Sequence, residues 1–223
     1  MPRAFTEHEK ELIRQRLLKQ GYIQFSTHGL KKTSIEELAV AAGISKAAFY
    51  IFYESKEALF MDVAEQAEKR FRQEVLAVID LPGPSPRARL FAVLKKAFTL
   101  LKTIPILQFF TGSDYDLLFR RIPAGKLQEH LASDRVFFEE LISRCRNAGM
   151  PIRAQAEEIS NLLYPLVLTS LREDDLRRNG LGNGTDLLLE LVAAFCLGEV
   201  ESQLRKPTGP ALDSEGAYHE LGN

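Results

Sequence analysis

Apolar side chains recur along this chain at the three- and four-residue spacing of an α-helix, from the first segment to the last. One stripe near the N-terminal end comprises Leu17, Leu18, Gly21, Tyr22 and Phe25. Residues 56–80 carry an apolar face about seven turns long. Strict alternation of polar and apolar positions, which indicates strands, is nearly absent. The pattern therefore predicts an all-α protein.

Local signals at the N-terminal end predict three helices in succession. The first ends at Gly29, because glycine readily adopts the left-handed conformation that terminates helices. Ser34 and Glu37 have the spacing of a capping box, which begins a second helix. Ser45 is placed to cap a third helix over roughly residues 46–52.

Prolines and glycines divide the rest of the chain. A run with three prolines at 81–86 is the first clear break. Further breaks predict helices at about 87–103, 106–121, 125–147, 154–178 and 185–205. Residues 207–223, which combine glycine, proline and charged side chains, are predicted to form an unpacked tail.

Composition and charge limit the class of protein. The 223-residue chain is 45% hydrophobic and 26% charged, which is typical of a globular protein and excludes a disordered or collagen-like chain. Its net charge is −1, but residues 1–53 carry +3, a distribution compatible with a small nucleic-acid-binding module on an acidic body.

The sequence also bears on location. The two cysteines, Cys145 and Cys196, fit reduced thiols better than a disulfide framework. The N-terminus lacks the apolar segment of a secretory signal. No apolar stretch reaches the ~18–20 residues that a membrane span needs. We therefore expect a cytoplasmic protein without a membrane partner.

Residues 33–56 read TSIEELAVAAGISKAAFYIFYESK and hold the densest local information. Gly43 can take a positive φ for a sharp turn between two short helices, and Ile44 can fill the angle between them. This arrangement predicts a helix-turn-helix, whose second helix can lie in the major groove of DNA. Helix pairs with a glycine turn also occur in all-α proteins that do not bind DNA.

The same residues resemble the TetR family of bacterial one-component transcriptional regulators. The matching positions are Phe25, Gly29, Thr33 or Ser34, Leu38-Ala39, Ala42-Gly43-Ile44-Ser45-Lys46, Phe49-Tyr50, Tyr53 and Ser55-Lys56-Glu57-x-Leu59. One departure is that Ile51 and Phe52 stand where the family often has polar residues. A donor to DNA phosphate is therefore missing at these two positions.

The resemblance implies a homodimer that binds a palindromic operator on double-stranded DNA, usually as a repressor, and that a small-molecule effector releases. Residues 1–53 would form the helix-turn-helix DNA-binding domain. Residues 54–206 would form a larger helical domain for effector binding and dimerisation, followed by the tail at 207–223.

Eight residues are candidates for DNA contact. They are Thr33, Ser34, Ser45, Lys46, Ala47, Ala48, Tyr50 and Lys56. Lys56, in the first turn of the fourth helix, and the Tyr50 hydroxyl are placed for phosphate, while the helix that begins at Lys46 can approach base edges. The two serines also cap helices. The two alanines either contact a thymine methyl group or only let the helix fit the groove.

The fifth to seventh predicted helices are rich in aromatic residues, which favours an aromatic cavity for a largely apolar ligand. The candidate pocket residues are Phe91, Phe98, Phe109, Phe110, Tyr115, Phe119, Arg120 and Phe137. Arg120 could orient one polar group of the ligand. Plain core packing is the alternative for each phenylalanine.

The last two predicted helices carry the candidate dimer seam. Its residues are Leu163, Leu166, Val167, Leu191, Ala194, Phe195 and Gly198. Residues 187–204 are apolar almost all round, so their helix should be buried on one side by its own domain and on the other by a second subunit. Pro165 lies inside the predicted helix at 154–178 and predicts a kink there.

Other classes of function have less support. The sequence holds no G-x-S-x-G, P-loop, H-E-x-x-H or C-x-x-C motif, and its four histidines are too scattered for a recognisable metal set. We therefore expect neither an enzyme nor a cofactor. The other alternative is a helical small-molecule-binding or interaction protein without specific DNA binding, which only Ile51 and Phe52 favour.

Overall fold

A computed structural model of the chain describes residues 5–108, 124–170, 178 and 184–200. Within these ranges the chain is helical, and no strand occurs. The helices are α1 (Glu7–Lys32), α2 (Ile35–Ala42), α3 (Lys46–Phe49), α4 (Lys56–Ile79), α5 (Pro86–Thr103), α6 (Pro105–Gln108), α7 (Ala124–Asn147), α8 (Ala156–Ser170) and α9 (Gly184–Leu197). The all-α prediction is confirmed. Within the same ranges, every helix is too short or too polar to cross a membrane.

Serine and threonine side chains begin most of the helices of the first half. The hydroxyls of Thr6, Ser34, Ser45, Ser55 and Ser85 each accept a hydrogen bond from the backbone N–H three residues later. At Ser34 the capping box is complete, because the Glu37 carboxylate also accepts from the Ser34 backbone N–H at 3.1 Å. These hydrogen bonds from Ser34 lower the pKa of the Glu37 carboxyl below its usual value.

The first core belongs to the N-terminal helices and the first half of α4. It includes Leu17 and Phe25 of α1, Leu38 of α2, Phe49 of α3 and Phe60 of α4, all fully buried. The Phe25 and Phe60 rings meet edge to face with centroids 5.4 Å apart. The two short helices α2 and α3 are therefore held in one core with the long helices α1 and α4.

Gly29 and Gly43, in the N-terminal helices, adopt positive-φ conformations that other residues adopt at a cost. Gly29 has φ 78° and interrupts the regular geometry of α1. The helix was predicted to end there but continues beyond this break to Lys32. Gly43 has φ 76° and ends α2, with its N–H donating to Val40 O at 3.0 Å. The turn between α2 and α3 therefore depends on a left-handed residue.

Replacing Gly43 with alanine is expected to lower the free energy of unfolding by about 1–2 kcal/mol, because a left-handed conformation brings Cβ too close to the carbonyl oxygen. Gly125→Ala is the matched control, since its added Cβ meets no atom within 4 Å. It should leave stability unchanged or raise it by up to about 1 kcal/mol. Urea titration of both variants measures the difference, and equal stability would contradict the role of Gly43.

The second core lies in the body, between the C-terminal half of α4 and helices α5, α7, α8 and α9. Phe71 and Ile104 contact both cores and so join the two parts of the molecule. Arg89 joins the C-terminal ends of α4 and α7. Its guanidinium donates to Ile79 O at 2.8 Å and Ala148 O at 2.6 Å, which satisfies carbonyls at the ends of α4 and α7.

Two predicted helix ends are wrong. The third helix stops at Phe49 rather than residue 52, because Ile51 and Phe52 N–H groups donate to carbonyls three residues earlier and tighten the chain into a turn. The last helix stops at Leu197 rather than residue 205, because Gly198 adopts φ 74°.

Other predicted boundaries are close to those observed or only partly described. The predicted helix at 106–121 begins at Pro105, and its description ends at Gln108. The predicted helix at 154–178 begins at Ala156, and its continuous description ends at Ser170. Pro165 lies inside this helix. The predicted tail at 207–223 lies outside the described residues.

Candidate nucleic-acid interface and ligand cavity

Helices α1, α2 and α3 and the first half of α4 share the first core and form what we call the reading module. The turn between α2 and α3 fixes the orientation of α3 in this module. Ile44 packs partly buried against the first core, as predicted, and its N–H donates to Ala39 O at 3.0 Å. Phe49, at the other end of α3, is fully buried and lies edge to face with Tyr50. With both ends anchored, the remaining side chains of α3 point away from the core.

Most of the residues predicted to contact DNA lie on the accessible side of α3 or at its two caps. Ser45, Lys46 and Ala47 are exposed, Ala48 is half-buried, and Tyr50 keeps 52% of its surface accessible. The Ser45 hydroxyl already accepts the Ala48 N–H at 3.1 Å, which confirms its capping role. The start of α3 therefore presents a lysine and a small methyl surface to solvent, and its C-cap presents a phenol.

Lys46 meets an acidic neighbour on the preceding helix. Its Nζ lies 3.6 Å from a Glu36 carboxylate oxygen, and both side chains are largely exposed. An exposed pair at this distance contributes little to stability and is easily broken. The carboxylate nonetheless competes with DNA phosphate for the same ammonium group.

Replacing Glu36 with glutamine is therefore expected to tighten DNA binding about two- to fivefold, because it removes a competing and repelling negative charge. Glu140→Gln is the matched control, since Glu140 pairs with Arg144 at 2.9 Å on an exposed face of α7. Fluorescence anisotropy with a labelled duplex at several salt concentrations measures both variants. Equal affinity for all three proteins would contradict a role for Glu36.

Two of the predicted DNA contacts take a different role in the structure. Lys56 points its ammonium at the end of α1, where Nζ donates to Leu30 O at 2.8 Å and Thr33 O at 2.7 Å. Lys31 O lies at 3.3 Å from the same nitrogen. Thr33 is only 1% exposed, and its hydroxyl donates to Gly29 O at 2.8 Å. Both residues tie the end of α1 to the start of α4.

Ser34, Ile51 and Phe52 complete the interface region. Ser34 is half-buried, and its hydroxyl donates to Glu37 Oε2 at 2.9 Å. Phe52 packs against the first core, with its ring centroid 6.0 Å from that of Phe5, whereas Ile51 is 61% exposed. Of the two residues that depart from the family pattern, Phe52 therefore packs in the core, and Ile51 is an exposed apolar residue next to Tyr50.

The body contains a partly open apolar cavity of about 280 Å³ between α4, α5, α7 and α8. Of the predicted pocket residues, Phe98 and Phe137 line it, while Phe91 packs half-buried against the second core elsewhere. Phe109, Phe110, Tyr115, Phe119 and Arg120 lie outside the described residues. Phe71 and Phe138 also line the cavity. Phe71 was missed because its stripe on α4 reads as ordinary core.

A polar cluster forms one edge of the cavity. Arg72 of α4 donates to Asp134 Oδ1 at 2.8 Å and to Ser133 Oγ at 2.7 Å, both on α7. A Glu68 carboxylate oxygen lies 3.6 Å from the same guanidinium, and the Phe137 ring lies 5.2 Å beneath it. This cluster links α4 to α7. The Glu68–Arg72 spacing on one helix was the only sequence signal for it.

The predicted seam residues fall into four environments. Leu163 and Val167 line the cavity, and Leu166 packs half-buried against the second core. Ala194 is buried in its own chain, Phe195 and Gly198 are half-buried, and Leu191 is 51% exposed. Large apolar side chains other than the seven candidates are exposed on the same helices. They are Leu162, Tyr164 and Leu168 on α8, and Leu187 and Leu188 on α9.

The two cysteines lie in the interior of the body. Cys145 and Cys196 are buried and are not joined in a disulfide, and burial raises the pKa of the Cys145 thiol to about 11. In the part of the chain that the structure describes, no cluster of three or more His, Cys, Asp or Glu residues is arranged to hold a metal ion.

A helix-turn-helix with an outward-facing short helix, mounted on a larger helical body, is an arrangement found in DNA-binding regulators of transcription. Residues 17–63 match the family model of "Bacterial regulatory proteins, tetR family". The match covers 47 of the 223 residues and comprises the helix-turn-helix, which is therefore similar to the DNA-binding segment of TetR-family regulators of transcription.

Curated relatives are similar over the same N-terminal segment. The probable acrEF/envCD operon repressor of Escherichia coli (strain K12) is 34% identical over 58 residues, which is 26% of each chain. The matched segments cover only 18–31% of the curated relatives' own length. These relatives are named as regulators of transcription, and their likeness concerns the DNA-binding part.

Solved structures are similar over most of the chain. The transcriptional regulator FadR from Bacillus subtilis, in complex with stearoyl-CoA, shares 14% identity with a TM-score of 0.55, covering 84% of this chain and 99% of that one. The superantigen PfiT shares 17% identity with a TM-score of 0.60, covering 82% and 95%. At such identities the likeness concerns the fold alone.

Proposed function

We propose that this protein is a ligand-responsive repressor that binds a palindromic operator as a dimer and leaves it when a small, largely apolar molecule binds the body. The observation that carries the proposal is the course of α4. Its first half, with Phe60, packs in the module that presents α3, and its second half, with Phe71 and Arg72, forms a wall of the cavity. One helix thus connects the helices that would bind DNA with the cavity that would bind the ligand.

The accessible side chains of α3 and its two caps support DNA contact by Ser45, Lys46, Ala47, Ala48 and Tyr50. In a dimer, two such helices must lie about 34–36 Å apart to enter successive major grooves on one face of the duplex. A ligand that binds better to a differently spaced conformer lowers operator affinity only by its differential affinity for the two conformers. We propose residues 1–53 as the reading domain and 54–206 as the sensing and dimerisation domain.

The cavity supports a largely apolar ligand with one polar group. Its lining combines Phe71, Phe98, Phe137 and Phe138 with aliphatic side chains, and Glu68, Arg72 and Asp134 are its charged residues among those described. FadR from Bacillus subtilis, which has a similar fold, was solved with an acyl thioester, stearoyl-CoA. We propose no cofactor and no catalytic activity for this chain.

Selection of bound duplexes from a random pool tests the DNA-binding part of the proposal. We expect a palindrome, and an affinity for it that falls steeply with salt as phosphate contacts release counterions. Selected duplexes without a palindrome, or affinity no greater than that for unrelated DNA, would support the helical binding protein without specific DNA recognition. A thermal-shift screen of apolar compounds, followed by release from the selected duplex, tests the effector part.

Dimerisation is proposed to use the apolar face that α8 and α9 leave open. Leu187 and Leu191 are 64% and 51% exposed in the single chain. The double change Leu187→Glu and Leu191→Glu is expected to yield monomers, because it places unpaired carboxylates in an apolar interface. Val136→Glu on α7 is the control, since Val136 is also an exposed apolar residue. Sedimentation velocity measures the oligomeric state. A dimer that persists in the double variant would show that the interface does not use this face.

A further inference from the structure

A second concavity lies outside the body, at the surface between α1 and α4. It measures about 630 Å³, within the range of small-molecule sites, and is an open groove. Its floor is apolar, because Val63 and Ala67 of α4 are buried there and Leu18 of α1 is half-buried. The walls are the exposed side chains that follow each helix at three-, four- and seven-residue intervals.

The groove carries an excess of positive charge. Lys19 on α1 and Arg70 on α4 both line it, and neither makes an ion pair or side-chain hydrogen bond with any described residue. Glu74 is the only carboxylate among its described lining residues, and its oxygen lies 2.7 Å from Lys96 Nζ. Two cations on opposite helices are thus uncompensated above an apolar floor.

The two helices cannot close the groove by moving together. They approach closely at Gly21, where an added Cβ would lie 3.1 Å from Val63 Cγ2. Ile104, which contacts both cores, lines the body end of the groove. The groove is therefore held open beside the junction of the reading module and the body.

We propose that this groove is a second ligand site, separate from the body cavity, for a small amphipathic anion. The alkyl part would cover Leu18, Val63 and Ala67, and the anionic head would lie between Lys19 and Arg70. A carboxylate or sulfate gains charge-assisted hydrogen bonds from both cations there. A cationic amphipath would meet the same apolar floor and two repelling charges.

The absence of tryptophan from the chain allows a specific reporter. Tyr22→Trp places a single indole on the groove wall, since Tyr22 lines the groove and is exposed. The probe is 12-bromododecanoate below its micellar concentration, because bromine quenches indole fluorescence on contact. We expect saturable quenching. The neutral alcohol 12-bromododecanol should bind at least about tenfold more weakly, because it lacks the charge that the two cations recognise.

Charge variants in the reporter background test the two cations. Lys19→Gln with Arg70→Gln is expected to weaken the anionic probe at least about tenfold and to leave the alcohol unchanged. Lys69→Gln, also on α4 and exposed but lining a different surface, is the control. If charge variants and control bind the anion equally, or if the indole on the groove wall is not quenched saturably, the proposal is wrong.

A second reporter separates the groove from the body cavity. Phe138→Trp, made in the otherwise unaltered chain, places the indole in the cavity lining. Quenching of this cavity reporter alone would overturn the proposal and leave the proposed effector site intact. Quenching of the groove reporter that depends on Lys19 and Arg70 supports the groove, whatever the cavity reporter shows. If Tyr22→Trp does not fold by circular dichroism, Ile23→Trp serves as the groove reporter, because Ile23 is exposed on the same wall.

Discussion

Replacing Lys56 with methionine is expected to destabilise the DNA-binding module by about 2 kcal/mol, through the loss of charge-assisted hydrogen bonds to the end of α1. Methionine keeps the apolar stem and removes the ammonium group. The carbonyls of Leu30 and Thr33 would then lose their donor in a partly buried place. Urea denaturation followed by circular dichroism measures the loss.

Lys69→Met is the matched control, because Lys69 lies exposed on the same helix and makes no side-chain hydrogen bond or ion pair with a described residue. It should unfold like the unaltered protein. DNA binding by folded Lys56→Met should keep the same dependence on salt. A slope of log affinity against log salt reduced by about 0.9 would instead show a phosphate contact by Lys56, which the sequence predicted.

Replacing Ala47 with aspartate is expected to weaken binding to the selected duplex at least about a hundredfold, because a carboxylate at the start of α3 would face DNA phosphates and base acceptors. Ala47 is exposed, so the change should not disturb the core. Gel shift with the selected duplex measures the loss. Undiminished binding would remove α3 from the interface.

Ala92→Asp provides the control for charge alone, because Ala92 is exposed on α5 in the body. Both variants should unfold near the same urea concentration as the unaltered protein. If Ala92→Asp weakened DNA binding as much as Ala47→Asp, the effect would come from net charge. The proposed role of α3 would then fail.

The reading module follows from its sequence because its signals are local. The caps at Ser34 and Ser45 join residues three apart, and Gly43 needs only its own backbone freedom to form the turn. The periodic apolar positions of α1 and α4 predict a shared core, in which the Phe25 and Phe60 rings meet edge to face. Fold class, the helix-turn-helix and most helix starts could be predicted for this reason.

The roles of Lys56 and Arg72 could not be predicted from the sequence. The Lys56 ammonium reaches carbonyls 23 to 26 residues earlier, and the Arg72 guanidinium reaches α7 more than 60 residues later. Such partners depend on how helices pack, and a lysine beside a helix start reads equally well as a phosphate ligand. Leu163 and Val167 read as a dimer stripe for the same reason, although they face the cavity.

By itself, the sequence determined the all-α class, the position of the helix-turn-helix and the residues at the start of α3, because these depend on contacts within a few turns. The tertiary structure alone decided which apolar side chains line a cavity, which remain open on α8 and α9, and which cations are already bound to carbonyls. Those outcomes depend on the packing of distant helices, which periodicity along one helix does not specify.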